Sequence, residues 1–106
     1  MSLYVVKPPA FTNTTESEVS LMIGTQARLF CQAAGEPEPS ITWSRSGGDT
    51  INLQHRGGHS KSFGTVLQLG KLTPRDSGDY SCIAKNGHPP TIVKSIRLNV
   101  MCKIYS

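Results

Sequence analysis

The sequence predicts an all-β fold, a two-sheet antiparallel sandwich with Greek-key connections. Three observations predict it. Six short runs alternate inward apolar residues with outward ones at period two. Turn-forming clusters ("KPP", "GEPEP", "SGG", "RGG", "TPRDSG" and "NGHPP") separate those runs at close spacing. No segment keeps a 3.6-residue apolar period for three turns, which argues against long helices. The chain has 106 residues, enough for one domain. A chain this short buries roughly 65% of its unfolded surface, so a covalent staple would help its core.

The runs follow in order. Val19, Leu21 and Ile23 alternate up to Gly24, and Ala27, Leu29 and Cys31 alternate after it. Ile41 and Trp43 share a face of "SITWSR"; Leu67 and Leu69 share one in "TVLQLGKL", with Leu72 following at a turn. Tyr80, Cys82 and Ala84 alternate, as do Ile96, Leu98 and Val100. Successive strand side chains point to opposite faces, so each run offers one apolar face to a shared core.

Composition narrows the function classes. Net charge is +4, from 11 Lys and Arg against 7 Asp and Glu, and the basic residues are scattered without a run of five. Nucleic-acid binding needs a clustered basic face with stacking aromatics, and none is visible. No stretch approaches the ~20 apolar residues that span a bilayer, so direct membrane insertion is not expected. "MSLYVVKPPA" lacks the basic start and long apolar run of a signal peptide, and Met1 to Leu3 reads as an addition to an excised piece. Residues 1–7 are read as a leader or appended residues, 8–100 as the domain and 101–106 as a tail. Three cysteines, Cys31, Cys82 and Cys102, allow at most one internal pair and leave one thiol over. No CxxC, GxSxG or HExxH occurs. His55 and His59 flank "RGG" near Asp49, and His88 stands alone, an arrangement without a nucleophile or ligand set. No catalysis, metal or cofactor is expected.

One constellation is specific. Cys31, Trp43, Tyr80 and Cys82 all fall on inward faces. Trp43 comes twelve residues after Cys31, and Tyr80 two before Cys82. This Cys…Trp…Tyr-x-Cys pattern resembles an immunoglobulin domain over residues 8–100. The Trp43-to-Leu69 interval leaves room for one short extra strand, which resembles the intermediate (I-set) type. The resemblance implies a Cys31–Cys82 disulfide between the sheets, with Trp43 packed on it and Tyr80 bonded to backbone upstream. Leu69 joins that core signature, and Asp76, Ser77 and Gly78 supply the turn into the Tyr80 strand. A cross-link over 51 residues would contribute roughly 4 kcal/mol by constraining the unfolded chain.

"PPAF", "GEPEPSITWSR" and "CIAKNGHPPTIVKSIRLNV" together are similar to the second immunoglobulin domain of the invertebrate DIP and lachesin adhesion proteins. They are similar, more loosely, to the vertebrate IgLON family. "MCKIYS" stands where those families run into a Pro-rich linker. The resemblance implies tandem domains on cell surfaces that bind other immunoglobulin-superfamily proteins or neighbouring domains of the same chain. In those families the first domain usually makes the trans contact, so the resemblance to the second implies a spacer role.

Candidate sites follow from these placements. Asn13 in "NTT" is an N-glycosylation acceptor on a polar stretch expected to precede the first paired strand. Thr42, Ser44, Ser81, Ile83, Lys85 and Arg97 should share one outward sheet face, with Ile83 its only large apolar member. Asn86, Gly87 and His88 begin "NGHPP", which suits the tip of a type I′ hairpin and is a second contact candidate. "RGGHSK" reads as a solvated loop, with weak glycan contact through Arg56, His59 and Lys61 as its functional alternative. Cys102 shares parity with Val100 and is the extra thiol: paired with a neighbouring domain or another chain, free and exposed in the tail, or partly buried. The leading reading is a non-catalytic recognition or spacer module of an extracellular or cell-surface protein. The alternatives are an intracellular I-set domain of a muscle or cytoskeletal scaffold, whose core thiols would stay reduced, and a matrix proteoglycan module with glycan affinity.

Overall fold

The structure is a computed structural model that describes residues 5–53, 57–59 and 61–102. Ten strands run through the described residues: β1 (Lys7–Thr14), β2 (Glu18–Met22), β3 (Gln26–Glu36), β4 (Ser40–Arg45), β5 (Ile51–Leu53), β6 (Gly57–His59), β7 (Lys61–Phe63), β8 (Val66–Lys71), β9 (Gly78–Lys85) and β10 (Ile92–Met101). Single 3-10 turns lie at Ser46–Gly48 and Pro74–Asp76. One sheet has the order β1-β3-β8-β5-β6 and the other β2-β10-β9-β4-β7. The expected two-sheet sandwich is present. Its pairing is antiparallel except where β2 lies parallel to β10, matching Val19 to Leu98 and Leu21 to Val100.

The period-two faces meet between the sheets. Leu29, Cys31, Trp43, Leu67, Leu69, Tyr80, Cys82, Ala84, Ile96 and Leu98 are fully buried. Cys31 and Cys82 are joined by a disulfide whose Cα atoms stand 6.4 Å apart. Trp43 lies opposite Cys82 in the β4–β9 register, and its Nε1 donates to the Gly64 carbonyl at 2.9 Å. An indole buried without that acceptor would lose its water partner uncompensated.

The structure corrects several expectations. Ile23 is exposed: β2 ends at Met22, so the alternation outlives the strand. Asn13 lies inside β1, paired in register with Gln32, rather than ahead of the first strand. Between Trp43 and Leu69 there are three short strands, β5, β6 and β7, where the spacing suggested one. Each has three residues, fewer than a spacing argument built on full-length strands allows for. The core also takes Ile51, from a strand too short to display a period. Cys102 is a free, exposed cysteine beyond the end of β10, so the partly buried alternative does not hold.

Candidate functional site

The corner under Tyr80 shows what the signature residues do. Thr73 begins the 3-10 turn, and its N–H and hydroxyl both donate to the Asp76 carboxylate, at 2.8 and 3.3 Å. Asn52 Nδ2 donates to the same carboxylate at 3.2 Å, tying β5 to this turn. Asp76 is therefore a buried acid held by three donors. Tyr80 Oη donates to the Asp76 carbonyl at 2.6 Å. Burial pushes the Tyr80 phenol up to about 12; Arg45 works against that shift and Asp76 adds to it. Arg45 sits 5.2 Å from the Tyr80 ring centroid and donates to the carbonyls of Thr50, Arg75 and Ser77. A side chain at Gly78 would meet the Arg45 guanidinium at 3.3 Å, and Gly78 has φ +147, so the position favours glycine twice over. These residues build architecture. Arg45 escaped the sequence reading, although it shares Trp43's inward parity and an arginine at that parity demands carbonyl partners.

The outward residues lie on the second sheet. The registers place Phe63 opposite Thr42, Thr42 opposite Ile83 and Ile83 opposite Val93, a row crossing β7, β4, β9 and β10. A second row runs Lys61, Ser44, Ser81 and Ser95. Directly opposed side chains in such rows are roughly 5 Å apart, close enough to act as one surface. Thr42, Ser44, Lys61, Phe63, Ile83 and Lys85 line a shallow depression in this face. Ile83 is not its only large apolar residue. Phe63 is 73% exposed and Val93 58%, so the row carries three apolar side chains. Arg97 lies on the same face at its far end, paired with Asp79 at 3.2 Å. Lys61 was expected in a loop; it lies in β7 beside the depression, because pairing with Ser44 extends the sheet by one edge strand. The arrangement offers apolar contact flanked by the ammonium groups of Lys61 and Lys85.

The hairpin candidates divide. β9 and β10 are joined by residues 86–91, and no non-glycine residue among those described has a positive φ. Asn86 therefore cannot adopt a type I′ turn, which needs positive φ at both central residues. Its side chain faces inward to the fold instead. Nδ2 donates to the Lys7 carbonyl at 2.8 Å and the Pro37 carbonyl at 2.9 Å, and Oδ1 accepts from the His88 N–H at 3.1 Å. The amide pins the β9–β10 loop to the start of β1 and to the β3–β4 turn. Gly87 is exposed with φ +85, and His88 is half-buried. His55 and Arg56 lie outside the described residues. Gly57–His59 form a backbone strand paired with β5, where "RGGHSK" was read as loop.

Comparison with known proteins matches the fold to a family. A model described as an immunoglobulin domain matches residues 8–86. The chain belongs to the immunoglobulin domain family. This immunoglobulin domain is 37% identical to mouse hemicentin-1 over 89 residues, covering 79% of the chain and 1% of that protein. It is 33% identical to human protogenin over 100 residues, covering 94% of the chain and 8% of that protein. A chain in the crystal structure of Dpr2 Ig1-Ig2 in complex with DIP-Theta Ig1-Ig3 superposes with a TM-score of 0.84 at 36% identity. The match covers 90% of the domain and 32% of that chain. The resemblance to DIP proteins thus recurs in three dimensions. The domain spans only a small part of the proteins it resembles.

Proposed function

We propose that this immunoglobulin domain is a non-catalytic, extracellular recognition module that contacts another protein through the outer face of its second sheet. One observation carries the reading: Phe63, Ile83 and Val93 lie in a single register row with Thr42 between them, and two of the three are mostly exposed. Scattered exposed apolar residues are ordinary, but three aligned across four strands form a patch. Lys61 and Lys85 flank it, so the favoured partner surface is an apolar side chain bordered by carboxylates. Support comes from the similar crystal structure of Dpr2 Ig1-Ig2 in complex with DIP-Theta Ig1-Ig3. Gly87 and His88 sit at the loop beyond the row and are secondary contacts. Asn86 ranks below them, since its amide is already bonded to the Lys7 and Pro37 carbonyls.

The Cys31–Cys82 pairing supports an extracellular compartment. A Cys31–Cys82 bridge forms and persists outside the reducing cytosol. Intact mass with and without reductant, on protein from its native source, separates this reading from an intracellular scaffold domain; free core thiols there would count against it. For function, the domain is titrated on a biosensor against a panel of immunoglobulin-superfamily ectodomains. Val93→Glu should weaken any interaction at least tenfold. Binding untouched by Val93→Glu and Phe63→Asp would place recognition elsewhere.

A further inference from the structure

We infer that Asn13 carries an N-linked glycan, attached to the emerging chain before β1 pairs with β3. The acceptor motif Asn13-Thr14-Thr15 is short enough to arise by chance, so the geometry around it has to carry the argument. Inward positions of β1 alternate from Pro9, which is buried, to Phe11, which packs on the core. Continued alternation would turn Asn13 toward the core as well. The register shifts between Phe11 and Asn13: Phe11 pairs with Ala33, but Asn13 pairs with Gln32. This β-bulge absorbs Thr12 as an extra residue and reverses the parity that follows. Asn13 and its partner Gln32 are both exposed, whereas Thr14 now opposes the buried Cys31. The bulge therefore turns the acceptor amide to solvent, where a bulky oligosaccharide fits without disturbing the core.

The same structure sets the order of events. The motif's hydroxyl belongs to Thr15. In the folded domain Thr15 Oγ1 accepts from the Phe30 N–H at 2.8 Å and donates to the Phe30 carbonyl at 3.3 Å. The Thr12 hydroxyl also bonds across to the Gln32 carbonyl at 3.2 Å. A transferase that must engage the Asn13 amide and the Thr15 hydroxyl together meets the hydroxyl bonded to Phe30 and the Asn13 backbone paired with β3 once β1 has docked. The donor is a lipid-pyrophosphate-linked oligosaccharide. Asn13 Nδ2 forms a bond to the anomeric carbon, the bond from that carbon to the pyrophosphate oxygen breaks, lipid pyrophosphate departs, and Nδ2 loses one proton. β1 is an edge strand of the first sheet, so the sugar stands on that sheet's outer face and leaves the second sheet's outer face uncovered.

The inference rests on the extracellular reading, and the test separates the two. The chain is secreted from cultured animal cells behind a secretion signal. Its intact mass is read, non-reduced, before and after an amidase that removes N-linked glycans. The expected result is loss of one glycan mass, with Asn13 converted to Asp in the released peptide. N13Q and T15A should show no loss, and T15S should keep it, which distinguishes the motif from general misfolding. Secreted protein with Cys31–Cys82 closed and Asn13 bare would overturn the glycan and leave the recognition reading standing. For the order of events, oxidised folded chain and reduced unfolded chain are each offered purified transferase and donor. Only the unfolded chain should be modified; equal modification of both would overturn the ordering.

Discussion

Replacing Asn86 by Asp changes almost no volume and should nonetheless destabilise the domain. The wild-type amide donates two bonds, at 2.8 Å to the Lys7 carbonyl and 2.9 Å to the Pro37 carbonyl. A carboxylate donates none, and it sets an anionic oxygen against two carbonyl oxygens. Each bond is worth about 1 kcal/mol net, and a carbonyl left unpaired costs about the same again where water cannot replace the donor. Asn86 is half-buried, so water recovers part of that loss, leaving about 2 kcal/mol for Asn86→Asp. Asn86→Ala loses the bond from the His88 N–H as well but lets water into the gap, and should cost a similar amount. Urea unfolding followed by Trp43 fluorescence should show the midpoint falling by roughly 1 to 2 M with the slope unchanged. Gly35 supplies an independent check. A Cβ there would stand 3.0 Å from both Asn86 Nδ2 and the Lys7 carbonyl oxygen, so Gly35→Ala strains the same clasp. The double variant should therefore lose less than the sum of the singles. Asn86→Asp within about 0.5 kcal/mol of wild type, or strict additivity with Gly35→Ala, would refute the clasp.

Further outcomes follow from the corner and the core. Tyr80→Phe leaves the Asp76 carbonyl without its partner and should cost about 1 to 3 kcal/mol in the same urea assay. The folded-state phenol is raised to about 12 from its ordinary 10, so the folded chain holds its proton more tightly than the unfolded chain. That contribution is fully present below pH 10 and is lost as pH rises toward 12. Stability should fall by roughly 1.4 kcal/mol between pH 9 and pH 11, and Tyr80→Phe should remove this slope. Reducing the disulfide opens a loop whose ends are 51 residues apart and should cost roughly 4 kcal/mol, read as a lowered thermal midpoint with reductant.

What could be read from the sequence tracks the reach of the physics involved. Period two names the faces of Leu29, Trp43, Leu67, Tyr80 and Ile96 because each strand is long enough to show it. It fails for Ile51, whose strand has three residues, and for Ile23, which lies past the end of β2. It would not serve at Asn13 either, because a bulge that depends on pairing with β3 resets the parity there. The outward face was half legible. Thr42 and Ile83 were placed on it, and Val93 could have been, by counting back from Ile96. Phe63 could not, since its membership depends on β7 folding back beside β4. The role of Asn86 was invisible for a different reason: "NG" is a strong local turn signal, but the partners that claim the side chain stand 79 and 49 residues away.

Recognition is proposed to lie on the second sheet's outer face and not on the first. The most direct measurement compares dissociation constants of four variants for one immunoglobulin-superfamily ectodomain captured from the panel. Phe63→Asp and Val93→Glu alter the row; Arg28→Glu and Gln32→Glu alter exposed positions of β3 in the opposite sheet. At least a tenfold loss is expected for the first two, with unchanged unfolding midpoints, and less than a twofold change for the others. The reverse pattern, with β3 variants abolishing binding and the row variants silent, would contradict that placement.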